Sequence, residues 1–168
     1  MRASRRPFSS WACAAVVGLT LTACSAKSSG PSTWSYAVNF HSIASAVSTD
    51  TLEVSVFDAT LPAPSCAALV QKRRSKVELP KPLISVPATA VCDLANGQGQ
   101  MTVVYGTYQV LVVGKRKGQD WLIGCNTQHV TRDEDPGTLQ IDLTNFDDSV
   151  LVAPTGCQTL SSHCTGGC

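Results

Sequence analysis

The chain carries no excess of charge of either sign. Thirteen basic residues stand against twelve acidic ones in 168, and three of the basic ones, Arg2, Arg5 and Arg6, crowd the first six positions. Without those three, ten basic and twelve acidic residues remain, a formal charge of about −2. This balance excludes a nucleic-acid binder, which needs a concentrated basic excess. It also leaves no polybasic attachment to a membrane. The apolar run from Trp11 to Leu21 is too short to span a bilayer comfortably as a helix. There is no Gly-x-Ser-x-Gly elbow and no protease-like Cys-His context. Paired C-x2-4-C ligands of a zinc site and the Asp-x-Asp-x-Asp-Gly pattern of a calcium loop are also lacking. No internal repeat of useful strength is present.

What is present begins with the leader. Three arginines precede the apolar run, and Leu21-Thr22-Ala23-Cys24 follows it. This stretch resembles the signal peptide and lipobox of bacterial lipoproteins. The resemblance implies export, cleavage before Cys24 and acylation of that cysteine. Two or more acyl chains anchor stably where one binds only marginally. Ser25, in place of an Asp, points to the outer membrane, so the expected location is the cell envelope. Residues 1–23 would be lost, leaving 145, enough for one domain with a real core.

Residues 24–35 read as the acylated cysteine and a tether, because Ser25 to Thr33 are small, polar and broken by Gly30 and Pro31. The average reach of such a tether is only about 15–20 Å. Residues 36–156 read as the folded domain and 157–168 as a Cys-rich tail. Period-two alternation marks strands at Thr51–Phe57, Met101–Tyr105, Thr107–Val113, Trp121–Cys125 and Thr138–Leu143, with Val86–Leu94 a further candidate. Gly106 reads as a bulge or kink, and Gly114–Gly118 as a polar hairpin loop. Tyr36 to Val47 reads as one more strand region. One helix is expected, from Cys66 to Arg74: Pro64 and Ser65 stand in start positions, and Lys72, Arg73 and Arg74 suit its C-terminal dipole. The expected fold is all-β, an antiparallel sandwich with one short helix, stapled by disulfides.

Six cysteines follow Cys24: Cys66, Cys92, Cys125, Cys157, Cys164 and Cys168. An even number in an exported chain reads as up to three bridges. The sequence does not choose the pairing; Cys66–Cys125 is favoured because each flanks a core segment. Cys157, Cys164 and Cys168 with His163 do not make a metal set, since oxidised sulfur is no ligand and adjacent His163 and Cys164 diverge on an extended chain. The acidic turn Arg132–Gly137 and Asp147-Asp148 read as solvated. The basic clusters Lys72–Lys76 and Lys115–Lys117 read as a helix end and a hairpin tip, with an anionic lipid or an acidic glycan as the functional alternative. His41, His129 and His163 lie far apart in sequence. Trp121, Tyr105 and Tyr108 read as core or half-buried strand residues, with an aromatic binding strip including Trp34 as the alternative. No catalytic residue, metal or cofactor is assigned, and the chain is not expected to be an enzyme.

Leu-Glu-Val-Ser-Val-Phe-Asp (52–58), Ser-Cys-Ala-Ala-Leu (65–69), Gly-Thr-Tyr-Gln-Val-Leu-Val (106–112) and Leu-Ile-Gly-Cys (122–125) resemble small envelope lipoproteins of myxobacterial type. The Gly-x-Tyr-x-Val stretch with its following hairpin is also similar to transthyretin-like and carboxypeptidase-regulatory-like sandwiches, which are mostly adhesive or scaffolding modules. The resemblance transfers no catalytic residue. It implies a lipid-anchored envelope protein with a structural role, or one that binds an envelope protein or glycan. The alternatives are a periplasmic inhibitor or small-ligand-binding lipoprotein, and then a hydrolase with an unrecognised site.

Overall fold

A computed structural model describes residues 32–60, 62–94, 98–131, 138–147, 149, 152–153 and 155–168. Seven strands and three short helices follow one another as β1 (Ser32–Phe40), α1 (Ile43–Val47), β2 (Thr51–Asp58), α2 (Cys66–Arg74), β3 (Ile84–Ala90), β4 (Gln98–Val103), β5 (Gly106–Arg116), β6 (Gln119–Val130), β7 (Thr138–Asn145) and α3 (Leu160–Cys164). The strands form one sheet in the order β3-β2-β5-β6-β7-β1-β4.

The sheet is mixed and curls nearly into a barrel, so the expected antiparallel sandwich is corrected. β1 and β7 run parallel, in register from Ser35 opposite Thr138 to Phe40 opposite Leu143, while the other pairs are antiparallel. Period-two alternation records which face of a strand is buried and is blind to the direction of its neighbour. Gly124 helps the curl. A Cβ there would stand 2.3 Å from the Asp142 carbonyl oxygen, so only glycine lets the β7 backbone approach β6 this closely.

The alternating faces build two cores. Trp34, Tyr36, Leu52, Val54, Val56, Met101, Val103, Val110, Val112, Leu122, Leu139, Ile141 and Leu143 fill the inside of the curl. On the outer face, Phe57, Leu111, Val113 and Ile123 pack under Leu69 of α2. β5 is therefore buried on both sides. The helix forms where the sequence places it: the Ser65 side chain accepts from the Ala68 amide at its start, and Lys72, Arg73 and Arg74 occupy its last turn. Cys66–Cys125 clamps it to β6, the pairing that the flanking core segments favoured. Cys92–Cys164 ties α3 to the turn after β3, and Cys157–Cys168 closes the tail.

Other expectations are revised. Residues 32–35 belong to β1, with Trp34 at 1% exposure, rather than to a tether. Tyr36–Val47 divides into the end of β1 and helix α1, which Ser42 caps. The segment around Gly106 is a corner between β4, paired with β1 at one edge of the sheet, and β5, which lies between β2 and β6. Tyr108 holds that corner by donating its hydroxyl to the Val104 carbonyl at 2.7 Å. The sheet edges fall on β3, blunted by Pro87, and on β4.

Candidate functional site

The registers place the strand ends at two poles. One pole holds the start of β1 at Ser32, the end of β4 and the β4–β5 corner. The other holds the ends of β1 and β7, the start of β2 and the β5–β6 hairpin. At this second pole the end of α2 stands beside the hairpin, and an open cleft of about 1040 Å³ lies between them. Arg73, Arg74 and Lys76 form one wall, Gly118, Gln119 and Asp120 the other, and Val77, Leu79 and Phe146 add apolar surface.

The two basic clusters, forty residues apart in sequence, meet here through shared carboxylates. Arg73 binds Asp120 through Nε at 2.7 Å and Nη2 at 3.0 Å. Arg73 Nη2 also lies 3.7 Å from Glu53, and Lys115 Nζ lies 2.7 Å from the same Glu53 oxygen. The Asp120 bond holds the Arg73 guanidinium charged even more firmly than usual. Arg116 stacks on Trp121 at 4.9 Å from the ring centroid, and Arg74 donates to the Asn145 carbonyl at 2.8 Å. Lys72, Lys76 and Lys117 are exposed and make no ion pair among the described residues. Asp147, at the cleft edge, accepts from the Ser149 hydroxyl and amide, which lower its pKa, with Arg74 contributing further.

Lys76 and Lys117 carry a further signature. They are the two non-glycine positions of positive φ among the described residues, at 55° and 50°. Lys76 follows the α2 cap. Its amide reaches the Arg73 carbonyl and the Val77 amide reaches that of Lys72, the Schellman arrangement in which glycine is the usual residue. Lys117 and Gly118, at φ 75°, form the two-residue hairpin loop between paired Arg116 and Gln119, which makes a type I′ turn that favours Asn-Gly. Both lysines thus occupy backbone sites that suit another residue; Lys76 lines the cleft, and Lys117 sits on the hairpin tip next to the lining Gly118. Lone strained positions of this kind gather at functional sites.

The remaining candidates are scattered. Cys24 and the turn 132–137 lie outside the described residues, as does Asp148. His41 bonds the buried Ser45 hydroxyl at 2.7 Å, His129 bonds Thr107 at 2.6 Å, and His163 Nδ1 stands 3.9 Å from Cys157 Sγ. None of the three joins a carboxylate in the hydrogen bonds of the described residues. Cys157, His163 and Cys168 bring possible ligand atoms within 4.8 Å of one another, but the two sulfurs are bonded to each other and Cys164 is bonded to Cys92. Trp34 and Tyr108 are core residues, so no strip of exposed aromatics forms. A small apolar cavity of about 70 Å³, lined by Tyr36, Val38, Phe40, Leu52, Val91, Leu94, Gly99 and Leu160, is well below the ~300 Å³ of ordinary ligand pockets.

No family matches this chain. Comparison with curated proteins and with solved structures likewise yields no significant match. The cleft was not legible as a site in the sequence, because each basic cluster alone reads as a helix end or a hairpin tip. The one available signal was lysine in a turn position before Gly118, where asparagine fits better.

Proposed function

We propose that this chain is a lipid-anchored binding module of the bacterial cell envelope, and that it engages an acidic envelope partner, a glycan or a protein, through the cleft between α2 and the β5–β6 hairpin. The observation that carries this reading is the concentration of charge. Seven of the eight described Lys and Arg residues (72, 73, 74, 76, 115, 116 and 117) stand around the cleft or on its hairpin, in a chain whose exported part is slightly acidic. Their nearest carboxylates, Asp50, Glu53, Glu78, Asp120 and Asp147, leave a local cationic surplus. Lys76 and Lys117, in backbone sites that suit glycine and asparagine, support the same face.

Polarity supports the anchor as part of the mechanism. β1 starts at the pole opposite the cleft, and the eleven residues of β5 set the poles up to roughly 35 Å apart at ~3.3 Å per residue. Acyl chains on Cys24 would hold the Ser32 pole to the bilayer and present the cleft outward. The partner is then material facing the membrane, not the headgroups of the anchoring leaflet.

The test uses the lipidated full chain on neutral phospholipid vesicles. A polyuronate and polyglutamate serve as probes and neutral dextran as the control. Acidic probes are expected to bind, with affinity falling as salt rises, and Lys76→Glu with Lys117→Glu should abolish the binding. Equal binding of dextran, or no effect of the two substitutions, refutes the cleft. Membrane retention unchanged by Cys24→Ala refutes the anchor.

A further inference from the structure

The three bridges are not equivalent in their surroundings. Among the six cystine residues, Cys168 alone is exposed and Cys157 alone is buried, at 8% exposure; Cys66, Cys92, Cys125 and Cys164 are intermediate. Cys66–Cys125 and Cys92–Cys164 span 59 and 72 residues and tie α2 to β6 and α3 to the turn after β3. Cys157–Cys168 spans 11 and joins the tail to itself. The third bridge therefore constrains the least chain and has one of its two residues exposed. Beside it stands the His163 ring, Nδ1 3.9 Å from Cys157 Sγ, positioned at the end of α3, a helix capped by the Thr159 side chain through the Ser162 amide at 3.0 Å.

We infer that Cys168 is a site of thiol–disulfide exchange, at which a small external thiol is taken up as a mixed disulfide. The attacking thiolate approaches Sγ of the exposed residue Cys168. A bond forms between its sulfur and Cys168 Sγ while the Cys157–Cys168 bond breaks, and the electron pair leaves on Cys157 Sγ. The number of disulfides is unchanged, so no oxidant or reductant is consumed. A leaving sulfur is expelled faster when its negative charge is stabilised, and the imidazole of His163, with Nδ1 3.9 Å from Cys157 Sγ, is placed to donate a hydrogen bond to that sulfur. Attack in the opposite sense is disfavoured because Cys157 is buried. Opening the bridge frees one loop of the tail and leaves the Cys66–Cys125 and Cys92–Cys164 bridges in place.

The experiment exposes the oxidised full chain to reduced glutathione at neutral pH, quenches with acid, alkylates free thiols and maps each cysteine by mass. The expected result is a glutathione adduct on Cys168 and an alkylated Cys157, with the other two bridges intact and the far-ultraviolet circular dichroism unchanged. In His163→Gln the adduct should form more slowly, by on the order of threefold. An adduct on Cys157, or opening of Cys66–Cys125 or Cys92–Cys164 at the same rate, overturns the assignment. An unchanged rate in His163→Gln overturns the role given to the imidazole. His163 is exposed, so its replacement leaves the core untouched.

Discussion

Lys76 and Lys117 separate stability from function at the scale of single residues. A left-handed backbone costs a residue with a Cβ about 1 kcal/mol relative to glycine. Lys76→Gly and Lys117→Asn should therefore each raise stability by about 0.5–1 kcal/mol in urea titration, while weakening acidic-probe binding in the same preparations. A loss of stability would show that the lysine side chains hold the fold instead. Tyr108 offers the opposite case: Tyr108→Phe keeps the ring but removes the bond to Val104, and should cost about 1 kcal/mol. Tyr36 lies against Gly99, where even a Cβ would overlap the ring, and burial raises its hydroxyl above the ordinary pKa. The unfolded chain then ionises first. This contribution to stability is complete below about pH 10, the unfolded value, and is lost as pH rises through the higher folded value. Tyr36→Phe should flatten part of the alkaline fall in the urea midpoint, and an unaltered fall would assign it to other groups.

Among the elements, α2 was the most legible. Its cap at Ser65, its basic last turn and the prolines beyond it are local signals, and the helix occupies the expected residues. α1 and α3 were not legible, because five residues are too few for a helical period and their caps, Ser42 and Thr159, are common in loops. α2 also shows how an exposed-looking helix can be indispensable. Leu69, at 0% exposure, is its one buried side chain and closes the outer core over Phe57, Leu111, Val113 and Ile123. Leu69→Ala should cost about 2–5 kcal/mol. Replacing Cys66 and Cys125 together with serine should cost about 2–4 kcal/mol. A thermal midpoint little changed in either variant would mean that α2 rests on the sheet without supporting it.

For the whole molecule, the strands and inward faces were readable, while the closure was not. The inside positions of β2, β5 and β7 follow the alternation in the sequence, yet nothing in β1 or β7 marks them as parallel neighbours. That contact depends on the distant pairing of chain ends, which no local window contains. The cleft shares this blindness: residues 72–76 and 115–117 become one site only when the sheet brings Glu53 and Asp120 between them.

The parallel seam has a consequence for how the molecule comes into being. Asn39 donates to Asp142, 103 positions further along, and β1 leans on β7 along most of its length. Until that late stretch emerges, the opening strand lacks one of its two flanking neighbours. A nascent chain released before residue 138 would pair β1 with β4 alone and leave its β7 border open from Ser35 to Phe40. Assembly must therefore wait for nearly all of the polypeptide, a high-contact-order route that is intrinsically slow.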